Sequence, residues 1–201
     1  MTKLDIPVDV DVLRDEIQKT YTEVSADAAR EFIFPTGRAW AQELGYPEPE
    51  LTRVPDATAE SFAGVANHFL LGRIEPGSTV LDLGCGAGTD LLIAAQMAGP
   101  EGKAIGIDMT RTMLDRAQAS ADELGVTVEL HEGLIESLPV PDESIDVLIS
   151  NGVIDLVPDK DAVFDEIDRV LKPGGRLQIA DVVIHTEVSE DARDRIDLWT
   201  G

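Results

Sequence analysis

The stretch Val80-Leu81-Asp82-Leu83-Gly84-Cys85-Gly86-Ala87-Gly88-Thr89-Asp90 sets three alternating glycines behind a buried-strand pattern and ahead of a helical one. Glycine admits positive φ and lets a backbone approach a ligand with no Cβ in the way. The helix start that follows offers free N–H groups. A loop of this kind receives a flat or anionic group. Dinucleotide-binding folds use one too, but two details separate the readings. The position where a dinucleotide loop wants its third glycine is Thr89, and Asp82 stands two residues before the first glycine, an anion where a pyrophosphate would pass. An acid there suits a cationic ligand, such as one carrying an ammonium or a sulfonium.

The next apolar run ends Gly106-Ile107-Asp108-Met109, with an acid at the carboxyl end of a strand some twenty residues past the loop. At that spacing a carboxylate accepts hydrogen bonds from both ribose hydroxyls. The alternative for Asp108 is a helix-start residue facing the dipole ahead of Thr110. Taken together, Asp82, Gly84, Gly86, Gly88 and Asp108 point to S-adenosylmethionine, with a nicotinamide dinucleotide as the weaker reading. His68, His131 and His185 are dispersed and fit no metal spacing, so no metal is expected. His68, just before the loop strand, is a candidate general base at the substrate entrance, with packing or surface as its alternative. Asp155 is a cap or a second acid near the site, and the acids from Asp159 to Asp168 read as a solvated helix face.

The elements that must position these groups follow from periodicity. Residues 11–24 read as an amphipathic helix striped by Val12, Leu13, Ile17, Tyr21 and Val24. A short helix after Pro35, with Thr36 as N-cap and Gly45 near its end, and further turns over 57–66 follow, interrupted by Pro47 and Pro49. From Ser78 onward strands at 79–83, 103–107, 126–130, 145–150 and 175–184 alternate with helices at 88–98, 110–124 (capped by Thr110) and 159–171. That alternation predicts right-handed crossovers and a doubly wound parallel sheet. The expected division is an N-terminal helical segment, 1–75, closing over the site as a lid, and an α/β domain, 76–201.

The bulk properties exclude several classes. The 201 residues carry 39 acidic against 16 basic side chains, a formal net charge of -23. Such a surface repels phosphate backbones, so neither nucleic acid nor an anionic membrane is an expected partner; it would suit a salt-rich cytoplasm, where self-repulsion is screened. Cys85 is the lone cysteine, which precludes an intramolecular disulfide and suits a reducing compartment. The acidic start is unlike a signal peptide, and no apolar run approaches the roughly 18 residues of a membrane span. A soluble cytoplasmic protein is expected.

Leu81 to Asp90, Gly106 to Met109, Leu138 to Asn151 and Arg169 to Gly175 occur in the order of the class I methyltransferase motifs and resemble them across residues 78–185. A closer resemblance is to the arsenite methyltransferase branch. It is carried by Phe34-Pro35-Thr36-Gly37-Arg38, Ser61-Phe62-Ala63-Gly64, Gly106-Ile107-Asp108-Met109-Thr110 and the string Ser150 to Lys160. The resemblance implies a Rossmann-like sheet of order 3-2-1-4-5 and S-adenosylmethionine as cofactor. It implies cofactor contacts at Asp82, Gly84, Cys85, Gly86, Gly88, Asp108, Met109, Leu134, Ile135, Glu136 and Asn151. Gly133 to Glu136 would enclose the adenine, with Ile135 on the ring face and Glu136 near the exocyclic amine; plain core packing is the alternative for Ile135. Asn151 would lie near the sulfonium and the transferred methyl, or else bond its own turn.

The chain also departs from that branch. Arsenite methyltransferases hold their substrate through cysteine thiolates, and the matching positions here are Leu91 and Gly152, with a third just past residue 201. Cys85, within the loop, reads as a small packing residue. A soft metalloid needs several thiolates, so an acceptor other than arsenite is expected. After His185 only 16 residues remain, enough for a helix ending near Leu198-Trp199 but not for the last strands of a seven-stranded sheet. The fifth strand is then an edge, and a homodimer covering it, or a shortened enzyme, is expected. The function expected is in-line methyl transfer to a small molecule, and its alternative is a catalytically silent cofactor-binding module.

Overall fold

The computed structural model describes residues 9–26, 34–183 and 185. Five parallel strands, β1 (Thr79–Leu83), β2 (Lys103–Asp108), β3 (Glu129–Glu132), β4 (Ile145–Asn151) and β5 (Leu171–Ala180), form one sheet of order β3-β2-β1-β4-β5. Helices α5 (Thr89–Ala98), α6 (Arg111–Leu124) and α7 (Lys160–Val170) are the crossovers. The sheet direction reverses its winding between β2 and β4, on either side of β1. Crevices for ligands open there, beyond the strands' carboxyl ends.

The core lies on both sheet faces. Leu81, Leu83, Ile107, Ile145 and Leu148 pack against Val163 of α7, and Ile74, Val80, Ala94, Val147 and Ile149 fill the opposite side. The central strands β1 and β4 are buried along most of their length, the pattern of a parallel sheet covered on both faces. α1 (Val10–Ala26), α2 (Gly37–Glu43), α3 (Glu48–Leu51) and α4 (Asp56–Ala59) precede the sheet. The last three share a core with α5 and α6: Ala41, Tyr46, Leu51, Val54 and Phe62 meet Leu92, Ile93 and Ala121. Among the described residues no helix is long and apolar enough to cross a membrane.

Several elements differ from the periodicity reading. β3 begins at Glu129, not at residue 126, because Gly125 ends α6 in the left-handed region and Val126 and Val128 pack against the α5 and α6 layer before the ladder starts. β5 begins at Leu171 rather than 175. Its register jumps from Ile145↔Leu171 to Val147↔Arg176, so Lys172 to Gly175 bulge out of the ladder, which is how Pro173 and Gly174 (φ 84) fit within a strand. The helix expected over 57–66 stops at Ala59. Thr36 and Thr110 stand at helix starts in extended conformation, but neither hydroxyl makes a cap bond; Asp108 Oδ1 accepts the Thr110 N–H instead, at 2.8 Å. Asp159 does cap α7, accepting from Ala162 N at 3.1 Å. The side chain of Val24 and the expected helix near Leu198-Trp199 lie outside the described residues.

Candidate functional site

The carboxyl ends of β1, β2 and β4 converge on one cleft, lined by the glycine loop, Asp82, Asp90, Asp108, Met109, Leu134 to Glu136 and Asn151, and roofed by Arg14, Ile17 and Tyr21 of α1. The loop's conformation is what its glycines permit: Gly84, Gly86 and Gly88 have φ of 67, 51 and 97. A Cβ added at Gly84 would meet Val153 at 2.6 Å and one at Gly88 would meet Ala117 at 3.0 Å, whereas one at Gly86 would meet no protein atom within 4 Å. The first and third glycines serve chain packing. The space above Gly86 is left open for a ligand.

Asp108 does more than its spacing suggests. One oxygen accepts the Gly86 N–H at 2.9 Å and the other the Thr110 N–H at 2.8 Å, so the carboxylate that would hold the ribose also fixes the loop beside it. Burial raises its pKa, against the lowering effect of those two amides. Gly133 N donates to the Asp108 carbonyl at 3.0 Å, bringing Leu134 to Glu136 to the wall. Ile135 is both core and wall: it packs among the residues beneath the sheet and lines the cleft. Glu136 receives Arg14 at 3.0 Å, and Gln18 of α1 donates to the Met109 carbonyl at 2.8 Å.

At the other end, Asp82 is 3% exposed with Oδ2 unpartnered. Burial, then the charges of Asp90 and Asp108, push its pKa well above the carboxylate range. Asp90, which motif reading passes over, lines the same wall, with Oδ1 buried and unpartnered. The sequence signal was an acid in the first turn behind the loop, a position usually explained by the helix dipole. Asn151 is fully engaged: its oxygen accepts from Val65 N at 2.8 Å, and its amide reaches the Tyr46 hydroxyl at 2.7 Å and Asp90 Oδ2 at 3.0 Å. It clamps the 64–66 segment to the cleft. Gly152, next to it, leaves room for Val65, whose Cγ1 would lie 3.1 Å from an added Cβ.

The structure does not bring His68 to the cleft wall. The ring is fully buried behind Asp90, 3.1 Å from Oδ2, a packing place, which is one of the two alternatives the sequence offered. Cys85 lines the cleft but is buried, and burial pushes its thiol pKa up. Among the described residues of the wall, Arg14 is the one cationic side chain, and Glu136 pairs with it. A pyrophosphate therefore finds no cation here. A cationic ligand finds carboxylate oxygens lacking partners and an open place over Gly86, which fit S-adenosylmethionine.

A methyltransferase domain family matches residues 74–200. The chain is 42% identical over 167 residues to an arsenite methyltransferase of Halobacterium salinarum, covering 83% of this chain and 42% of that protein. It is 32% identical over 176 residues to a probable methyltransferase, ltbC, of Aspergillus luteorubrus, with 83% and 60% of the two chains covered. The chain thus spans less than half the length of the first of these relatives. Among solved structures it resembles an arsenic(III) S-adenosylmethionine methyltransferase from Chlamydomonas reinhardtii, with a TM-score of 0.69 and 35% identity over 75% of this chain and 53% of that one. Sheet order, cleft chemistry and these likenesses agree: the chain belongs to the class I S-adenosylmethionine-dependent methyltransferases, near the arsenite methyltransferase branch.

Proposed function

We propose that this protein transfers the methyl group of S-adenosylmethionine in line to a small-molecule acceptor other than arsenite, with α1 closing over the cofactor. The observation that carries the reading is the cleft wall itself: unpartnered carboxylate oxygens on Asp82 and Asp90 beside an open glycine loop, and no thiolate pair. The bound cofactor supplies an activated methyl on a sulfonium, so the protein's task is alignment and exclusion of water. Asp108 would hold the ribose, Ile135 and Leu134 the adenine face, and Asp82 the methionyl ammonium. Asn151 positions the 64–66 segment, which with Gly152 and Val153 forms the acceptor side. Leu91 is buried, and the wall at Gly152 is met by Val65, an apolar surface that offers a soft metalloid no ligand.

Calorimetric titration with S-adenosylmethionine, S-adenosylhomocysteine and NAD tests the cofactor. Micromolar binding of the two adenosyl ligands and none of NAD is expected. Asp108→Ala should weaken the adenosyl ligands by about 1–3 kcal/mol; unchanged affinity removes Asp108 from the site. A screen with radiolabelled cofactor, run over amines, phenols, thiols and arsenite with glutathione, tests the acceptor. Transfer to arsenite overturns the exclusion, and tight cofactor binding with no transfer to any acceptor supports the silent module instead.

A further inference from the structure

Residues 152–158, which follow β4, form one side of the cleft: Gly152, Val153, Leu156, Val157 and Pro158 line it. Val153 packs over the glycine loop, 2.6 Å from where a Cβ on Gly84 would stand. This segment is held from behind, by the end of β5 and the start of α7. Gly152 N donates to the Ala180 carbonyl at 2.8 Å, and Ile154 N to Asp181 Oδ2 at 3.0 Å. Lys160 Nζ donates to the carbonyls of Asp155 and Val157 at 2.9 and 2.8 Å. The remaining tie joins two acids. Asp155 Oδ1 is buried with no N–H donor among the described residues, and the Asp155 carboxyl is hydrogen-bonded to that of Asp181. An ionised carboxylate only accepts, so this bond exists only with a proton between the two groups, and like charges so close do not both ionise.

The titratable groups that face Asp155 are Asp181 beyond β5, Lys160 of α7 and Tyr21 of α1. Burial and then Asp181 raise the Asp155 pKa to about 7, opposed by the Lys160 ammonium and the Leu156 amide. Burial first, then the charges of Asp155, Asp108 and Asp181, raises that of Tyr21, which stays a neutral phenol. Ile154, Phe164, Ile179 and Val182 complete the surroundings with apolar side chains. We propose that Asp155 and Asp181 are positioning residues that latch the 152–158 segment through one shared proton, holding this side of the cleft in place at acidic pH and releasing it at alkaline pH. Release puts both carboxyls in water, where Asp155 ionises at its ordinary 3.8 and its proton passes to solvent. The latch is at full strength below 3.8. From there to about 7 opening gains about tenfold per pH unit, and above that the closed and open forms are both ionised and nothing more is lost. Its effect on methyl transfer rests on the reading above that Gly152 and Val153 form the acceptor side.

The test is amide hydrogen exchange of the full chain without ligand, from about pH 5 to about pH 8, with protection taken relative to the unstructured rate at each pH. In the wild type, protection at Ile154, Leu156 and Val157 should fall about tenfold or more up to about pH 7 and then level off. Low urea should barely change exchange there, as befits a local opening that exposes little surface, while it speeds exchange in β1. Asp155→Asn, whose amide donates to Asp181 with no proton to lose, should keep the segment protected at every pH. Asp155→Ala should leave it poorly protected at every pH. Wild-type protection that does not vary with pH, an Asp155→Asn profile that follows the wild type, or a urea dependence in 152–158 equal to that of β1 overturns the latch. Should Asp155→Ala not fold, the wild-type and Asp155→Asn profiles still decide. The measurement needs no cofactor, so a chain that binds no adenosyl ligand sinks the reading above and leaves the latch standing.

Discussion

Two glycines of the same fold answer to different constraints. At Gly106 an added Cβ would meet Cys85 Sγ at 2.7 Å and Leu91 at 2.8 Å, inside the packed layer under the loop. Gly106→Ala should therefore cost about 1–3 kcal/mol of stability by overpacking, read as a lower midpoint in urea. Gly86→Ala meets no protein atom but fills the ligand's place and strains a φ of 51. It should lose cofactor affinity with a smaller loss of stability, and the reverse ranking of the two variants in either measurement would falsify this division. Asp155 carries a different signature. Burial first, then the hydrogen bond and charge of Asp181, push its pKa from 3.8 up to about 7, with Lys160 opposing. The native state thus holds a proton that the unfolded chain releases. The stability this contributes is full below 3.8 and is lost as pH rises through about 7. The urea midpoint of the wild type relative to Asp155→Asn should fall across that window and level off above it; a difference independent of pH would show that the carboxyl does not titrate there.

At the scale of elements, α1 is the piece that makes the cleft a chamber. Leu13 and Ile17 are buried, and Arg14 and Gln18 tie the helix to Glu136 and to the Met109 carbonyl. Leu13→Ala should loosen the helix by about 2–5 kcal/mol. Hydrogen exchange should then speed up in α1 while the amides of β1 and β4 keep their protection, and added S-adenosylmethionine should restore α1 in part. Exchange that accelerates equally in the sheet would mean that α1 belongs to the global core rather than to a separately opening lid. The stripe that predicted this helix was readable because period 3.6 is a local property; Val12 fell on the exposed side of it, 46% exposed. What the helix covers was not readable, since its contacts with Glu136 and Met109 lie about 90 to 120 residues away.

For the molecule as a whole, the formal charge of -23 sets a repulsion that salt screens. Raising KCl from 0.1 to 1 M shortens the screening length from about 10 to about 3 Å, so the thermal midpoint should rise over that range. A midpoint insensitive to salt would show that the acidic surface is already neutralised by its own pairs. β5 pairs only with β4 among the described residues.

The strand and helix alternation, the glycine loop and the acids at 82 and 108 were determined by sequence, because each depends on neighbours within a few residues: alternating burial, positive φ, an acid at a strand end. The sheet order followed with them, since crossover handedness and a resembling motif series leave few topologies. Other features were decided by tertiary structure alone. The bulge in β5, the late start of β3, the retreat of His68 behind Asp90, and the saturation of Asn151 by Val65, Tyr46 and Asp90 each depend on partners far apart in the chain. Asp90 is the clearest case. In sequence it is one acid at a helix start, and only folding, by bringing residues 46, 68 and 151 onto one of its oxygens, leaves the other oxygen buried without a partner.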